Sequence, residues 1–323
     1  MDNIEEEIRE PVSPSGQYFN TAPLCSYVFG FLELEIPIDD SQAMYLLQHV
    51  FLPINPRFSS IMVRDEDGIM KWKKVEEGSE FLPVALTNLS FSLDEIKTIK
   101  SKLGVTINDV ITGVIFYGIR LYMQEIDNKA RTSNSTGLVL LSTRNIGSYQ
   151  SVQDMMKADS KSPWGNHISF LHLSIPNLSQ TSLSNPLEFI WKAQKVIKRK
   201  RNTFTVYLIE WLLDVMLKLR GHEAVAKHIY GTLRNSSVVM SNLIGPVEPM
   251  ALANHPVKGL YFIMSGAPES IDIAVMSYTR TLRITLKTQK DLIDEHKFKL
   301  CMVRAFEAIS KASMEIPNKT KIK

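Results

Sequence analysis

Three polar blocks of this 323-residue sequence hold the small and amide side chains that could bind a ligand. The longest is Asn235-Ser-Ser-Val-Val-Met-Ser-Asn-Leu-Ile-Gly-Pro246. Its β-branched centre predicts a buried strand near Ser237–Leu243, and Ser241-Asn242 with Gly245-Pro246 predicts a tight polar loop at the strand's end. Small side chains and free backbone groups at such a tip suit a ligand channel. An ordinary strand-end turn has the same composition. The second block is Thr106-Ile-Asn-Asp109, at the start of an apolar helix. Asp109 stands three residues after Thr106, the spacing of a capping box that satisfies the free N–H groups of a helix start. Asn108 and Asp109 therefore read either as lobe-stabilising residues or as substrate contacts. The third block, Gly165-Asn166, closes a polar loop just before a strand.

Nothing in the sequence assigns a catalytic residue. The seven histidines are His49, His167, His172, His222, His228, His255 and His296, and no two are adjacent. His167 and His172 are five apart on one predicted strand and so face opposite sides. His222 and His228, six apart, are poorly spaced to share a metal, and His255 reads as a turn residue. Cys25 and Cys301 lie outside any CxxC pattern, so neither a zinc site nor a disulfide scaffold is expected, and a reducing, cytosol-facing location is favoured. A net charge of +3 is too small to argue for nucleic acid.

The elements that must position these blocks alternate between helix and strand. Strands are predicted near Tyr27–Ile36, Phe58–Arg64, Ile69–Val75, Phe81–Leu89, Gly137–Ser142, His167–Ile175, Ser237–Leu243, Val257–Ser265, Ile271–Tyr278 and Leu282–Thr288. Asp39-Asp40 caps a short helix with Met44, Leu47 and Val50 as its apolar face. Ser92-Leu-Asp-Glu95 is a capping box for a helix that Gly104 stops, and the Thr106 box opens another to about Ile126. Helices follow at Leu187–Arg201, Thr203–Arg220 and Leu292–Met314. Interleaved helices and strands, then consecutive strands, argue for a mixed-sheet α/β or α+β fold. The acidic start, Met1-Asp-Asn-Ile-Glu-Glu-Glu, does not read as a signal peptide, and the Lys-rich end (Lys319, Lys321, Lys323) reads as a frayed tail.

One segment is apolar beyond the needs of a core. Lys198-Arg-Lys-Arg201 precedes Val206–Leu219, where Glu210, Asp214 and Lys218 form a single narrow polar stripe. A core helix with a solvated basic start explains it. So does a helix lying on an anionic membrane surface along residues 198–219.

From about Phe81 to Ile309 the chain resembles the C-terminal lobe of the plant wax ester synthase/diacylglycerol acyltransferases. The resemblance rests on Lys102-Leu-Gly-Val-Thr-Ile-Asn-Asp-Val110, Trp164-Gly-Asn166 with Pro176, and Ser241-Asn-Leu-Ile-Gly-Pro246, three blocks in the family's order. Glu10-Pro-Val-Ser-Pro14 with Gly16 and Tyr18-Phe19, and the Phe51–Arg64 stretch, resemble the family's beginning. That family resembles the chloramphenicol acetyltransferase-like, CoA-dependent acyltransferases, which have two lobes and a channel between them. The resemblance implies a truncated partner lobe at 1–76 and a C-terminal acyltransferase lobe at 77–323. It implies transfer of a fatty acyl group from acyl-CoA to a long-chain alcohol or a diacylglycerol, giving wax ester or triacylglycerol. Acyl-CoA would be a co-substrate, with no metal or prosthetic group. Gly165, Asn166, Ser241, Asn242, Gly245 and Pro246 become candidates for the channel wall, and Thr106, Asn108 and Asp109 a structural motif. A peripheral, cytosol-facing place on the endoplasmic reticulum or plasma membrane is implied as well.

In that family the second His of His-His-x-x-x-Asp-Gly takes the proton of the acceptor hydroxyl, which is otherwise a poor nucleophile near neutral pH. The motif is missing here: Asp67-Gly68 lacks the two adjacent histidines at the motif's spacing upstream, and the family's Pro-Leu-Trp block is absent too. The chain passes near Glu76 from the first strands of one lobe to the start of the other, through deletion, splicing or a gene-model error. The resemblance thus implies either an acyltransferase of impaired activity or a non-catalytic lipid- or partner-binding relative that pairs with a full-length homologue.

Overall fold

The computed structural model describes residues 12, 16–17, 19–21, 24–55, 58, 60–64, 70–74, 84–142, 168–179, 185–201, 205–266, 268–290 and 292–317. The predicted Asp65–Gly68 turn, Trp164-Gly165-Asn166 and the Lys-rich tail lie outside the described residues.

In chain order, β1 (Tyr27–Leu34) leads to α1 (Asp40–Leu46), capped by the Asp39 carboxylate, which accepts from Ser41 N. The chain continues as one wide turn over Leu47–Phe51. The apolar face expected there is not buried: Met44, Leu47 and Val50 are all exposed. An antiparallel hairpin follows, β2 (Ser60–Arg64) with β3 (Met70–Lys74). Then come β4 (Val84–Ser92), α2 (Leu93–Leu103), α3 (Ile107–Ile126), β5 (Thr136–Ser142), β6 (Ile168–Ser174), α4 (Glu188–Arg201) and α5 (Thr205–Arg234). The chain closes with β7 (Val238–Ile244), β8 (His255–Ser265), β9 (Ile271–Tyr278), β10 (Thr281–Gln289) and α6 (Glu295–Met314).

Six strands form a mixed sheet in the order β4-β10-β9-β7-β5-β6. β7 runs parallel to both β9 and β5, and the remaining pairings are antiparallel. Both faces of the sheet are covered. On one face α2, α3, α4 and α6 bury Ile99, Ile115, Phe116, Phe189, Phe298 and their neighbours. On the other, Leu138 and Val239 pack against Val225, Ala226, Ile229 and Leu233 of α5. β7 shows the alternation that makes this possible, with Val238 and Met240 facing the first layer and Val239 the second. Each large side chain so buried contributes roughly 1.5–3 kcal/mol by leaving water. Helix α3 is apolar around its whole circumference because it is enclosed by α4, α6 and the sheet. Among the described residues no single helix is long and apolar enough to cross a membrane.

A second, smaller sheet joins the two ends of the sequence. β1 pairs antiparallel along its length with β8, from Leu34 opposite Val257 to Tyr27 opposite Ser265. The short bridge Ala251–Leu252 extends the sheet on β8's other edge.

Three local expectations change. Ser92 caps α2 by accepting from Glu95 N, but the Glu95 carboxylate turns away and accepts from Ser310 Oγ on α6, so the box is half made. The helix expected to stop at Arg220 runs on to Arg234 across a break at Gly221, whose φ of +76° and ψ of 178° are open to glycine. His255 begins β8; the turn before it is Ala253-Asn254, both at positive φ.

Candidate functional site

Two of the three sequence blocks meet at the carboxyl end of β7. Thr106 and Asp109 form the full capping box of α3: Thr106 N donates to Asp109 Oδ2 at 2.8 Å, and Asp109 N donates to Thr106 Oγ1 at 3.1 Å. Asp109 is 2% exposed, so its carboxylate is committed to the helix start. An anion would find that helix end already occupied. Asn108 is exposed in the same first turn. Its side-chain oxygen accepts a hydrogen bond from the side-chain amide of Asn242. The expected lobe-stabilising block and the expected channel block are therefore one contact. Asn242 lies on the β7 face that carries Val238 and Met240, toward α3, while Ser241 is buried on the opposite side.

Gly245 and Pro246 do something different. The Gly245 amide donates to Ser277 Oγ at 3.3 Å, and Pro246 O accepts from Thr279 N at 3.0 Å. A Cβ at Gly245 would lie 2.1 Å from Ser277 O, a backbone atom that cannot yield. Met250 N then donates to the Tyr278 hydroxyl at 2.8 Å, and that hydroxyl donates to Val257 O at 2.9 Å. The Gly-Pro turn is thus laced to the end of β9. This fixes where β7 ends and where Asn242 sits. Leu243, Ile244 and Val247 beside it are exposed, Ile244 to 90%. A pair of amides bordered by an apolar strip fits a ligand with a polar linkage and an apolar chain. Parallel strand ends are also where open α/β sheets bind ligands.

Among the described residues the hydrogen-bond partners of this amide pair include no histidine. Gly165 and Asn166 lie outside the described residues. A cleft of about 510 Å³ opens elsewhere. It is lined by Thr136, His172, Lys227, His228, Asn235 and Ser236, at the opposite end of the parallel strands. Among the described residues no group of three or more His, Cys, Asp or Glu side chains is placed to hold a metal ion.

Two charged arrangements escaped the sequence reading. Arg120 is 0% exposed and gathers Ser133 O, Ile175 O, Pro176 O and Asn177 Oδ1 at 2.7–3.1 Å. Burial pushes its pKa below the usual guanidinium value. It ties α3 to both ends of the β5–β6 region. On the sheet face toward α5, Lys287 pairs with Glu269 at 2.9 Å, both buried, and Asp272 stands opposite Lys287 on β9. Burial raises the Asp272 carboxyl to about 7, against the pull of Lys287.

Residues 164–310 match the family model described as the WS/DGAT C-terminal domain. The chain carries the C-terminal domain of the wax ester synthase/diacylglycerol acyltransferase family. It is 29% identical to wax ester synthase/diacylglycerol acyltransferase 4 of Arabidopsis thaliana over 253 residues, 74% of this chain and 47% of that protein. To wax ester synthase/diacylglycerol acyltransferase 9 of the same plant it is 30% identical, over 64% of this chain and 45% of that protein. The chain spans about half the length of the curated relatives it matches. Polyketide synthase associated protein 5 from Mycobacterium tuberculosis shares the fold, with a TM-score of 0.59 across 97% of this chain and 99% of that chain at 9% identity. The mixed α/β, chloramphenicol acetyltransferase-like fold is thus the one the resemblance implied. The family-model match takes in the Gly-Asn block at its start and the whole Ser241–Pro246 turn, and ends within α6.

Proposed function

We propose that this chain supplies the C-terminal half of an acyltransferase site, one that handles a fatty acyl group carried by acyl-CoA and a long-chain alcohol or diacylglycerol acceptor. The observation that carries the reading is the family-model match across the Ser241–Pro246 turn, the turn that sets Asn242 beside Asn108. The amide pair would hold the polar part of the substrate, and the apolar strip of Leu243, Ile244 and Val247 its chain. Acyl-CoA is a co-substrate in this reading, and no prosthetic group enters it. A wax ester or a triacylglycerol would be the product, made at the cytosolic surface of the endoplasmic reticulum or plasma membrane.

Turnover by this chain alone should be slight. General-base assistance is worth roughly 10²–10⁴ in rate, and the adjacent histidines that supply it in the family are not in this sequence. Purified protein given labelled palmitoyl-CoA with hexadecanol or diacylglycerol tests this directly. The expected result is binding with little CoA release; robust CoA release would overturn the impaired-activity reading, and failure to bind acyl-CoA would overturn the site itself.

A second reading has its own support. Met44, Tyr45, Val50 and Phe51 are exposed together along α1 and the turn after it. Exposed apolar surface of this kind suits a partner, and a full-length homologue is the partner proposed. Co-purification with such a homologue supports a non-catalytic role, and a monodisperse monomer with no affinity for it argues against one.

A further inference from the structure

The first half of α5 has two apolar faces, and among the described residues only one of them is packed. Leu213, Met216 and Leu217 pack onto the cluster between the sheet and α5. Leu208, Trp211, Leu212 and Leu219 recur at i, i+3, i+4 and i+11, which places them along one other side of the helix. All four are exposed, Trp211 to 59% and Leu219 to 78%. The break at Gly221 is what separates them from the anchored part. Beyond it the helix buries Val225, Ala226, Ile229 and Leu233, and before it the outward side stays uncovered.

The net charge around this side is positive. Residues 195–220 hold seven Lys or Arg against Glu210 and Asp214, whereas the whole chain nets only +3. Lys195, Lys198, Lys218 and Arg220 are exposed. A side of Trp and Leu with basic residues at both ends matches the chemistry of a bilayer surface. Apolar side chains enter the acyl boundary, an indole sits at headgroup level, and lysines meet anionic headgroups.

We infer that the outward side of α5, Leu208–Leu219, with the basic end of α4, is a docking surface for an anionic lipid bilayer. The chain would lie on the membrane without crossing it. This deepens the reading that the chain works on lipid substrates and rests on it for its biological sense. The physical surface needs no acyl transfer.

The test is co-sedimentation of the full chain with vesicles of phosphatidylcholine alone, and of three parts phosphatidylcholine to one part phosphatidylserine. Neither acyl-CoA nor acceptor is added, so loss of catalysis and loss of docking are scored separately. Binding is expected to the anionic vesicles, weakened by salt, with inorganic phosphate no better a competitor than chloride at equal ionic strength. Trp211→Ser/Leu219→Ser should lower the partition at least tenfold with an unchanged thermal melt. Lys195→Glu/Lys198→Glu leaves the apolar side intact and should abolish the preference for phosphatidylserine, at roughly fivefold per lysine. No binding to either vesicle overturns the proposal. So does equal binding by the Trp211/Leu219 variant, or capture of a full-length homologue through this side in place of vesicles.

Discussion

The side-chain amide of Asn242, near the end of β7, donates a hydrogen bond to the side-chain oxygen of Asn108, in the first turn of α3. The two residues are 134 positions apart and belong to separate sequence blocks. What brings them together is the sheet: β7 directs Asn242 to the face on which α3 packs, and the capping box fixes where α3 begins. One amide pair leaves a further donor on Asn108 and a further acceptor on Asn242. A ligand carbonyl can use the first, and a ligand N–H or hydroxyl the second.

Breaking this pair should therefore change ligand binding more than stability. Asn108 is exposed and Asn242 half-buried, so Asn108→Ala or Asn242→Ala should cost about 1 kcal/mol of folding or less. Either change is expected to weaken acyl-CoA binding three- to tenfold by isothermal titration, and the double variant should be no worse than the sum. Unaltered affinity in both single variants would remove the pair from the site.

Gly245 should behave in the opposite way. Its Cβ would meet Ser277 O at 2.1 Å, so Gly245→Ala must move β7 or β9. A loss of roughly 2–4 kcal/mol is expected, in the range of strained or overpacked positions. Thermal denaturation reads it. A melting temperature within about 1 °C of the parent's, roughly what half a kcal/mol moves in a chain of this length, would mean that the turn is not held as described.

The strand pattern was legible because its causes are local. Ile271–Tyr278 is found with the bounds expected, and β7, β9 and β10 alternate or run apolar as their burial demands. Caps were legible for the same reason, since Thr106 and Asp109 are three residues apart. What stayed hidden depends on distant neighbours. Arg120 directly follows the apolar run Val110–Ile119 and is of a type mostly found at the surface. It is instead wholly buried, because four carbonyl and amide oxygens from segments 13–57 residues away converge on it. The apolar residues after it, Leu121, Tyr122 and Met123, were the available sign. The Glu95 carboxylate likewise deserted its expected helix cap for Ser310 on a helix 215 residues away. Sequence spacing carries no record of such meetings.

The clasp between the two ends of the chain is a second meeting of this kind. Glu33 of β1 receives both arms of the Arg283 guanidinium, at 2.5 Å each, and Arg283 also lies over the Tyr261 ring. Arg283 holds the Glu33 carboxyl below its usual range. Gly259 makes room, because a Cβ there would lie 2.3 Å from the guanidinium. Glu33 is 38% exposed, so water screens the pair and Glu33→Gln should cost only about 1 kcal/mol. Gly259→Val should displace the guanidinium and mimic that loss or exceed it. Limited proteolysis of residues 27–54 reads the outcome: faster cleavage in both variants is expected, and unchanged cleavage would show that β1 is held by its ladder alone.

The buried carboxyl of Asp272 gives the molecule a pH dependence of uncommon sign. Its Oδ2 accepts from Met264 N at 3.3 Å, and among the described residues its Oδ1 has no hydrogen-bond partner. Burial, with Glu269 nearby, raises its pKa to about 7, whereas an unfolded aspartate titrates near 4. Between those values the folded chain keeps a proton that the unfolded chain has released. Stability must then fall as pH rises from about 4 to about 7 and level off above. Glu33 and Asp94, held low by arginines, act in the other direction, and their effect lies at more acidic pH. Asp272→Asn removes the falling limb while leaving the Lys287–Glu269 pair in place. Urea unfolding at pH 5 and pH 8 should show the parent losing on the order of 1–4 kcal/mol more than the variant across that interval. Parallel losses in the two proteins would mean that Asp272 is already ionised at pH 5, with Lys287 prevailing over burial.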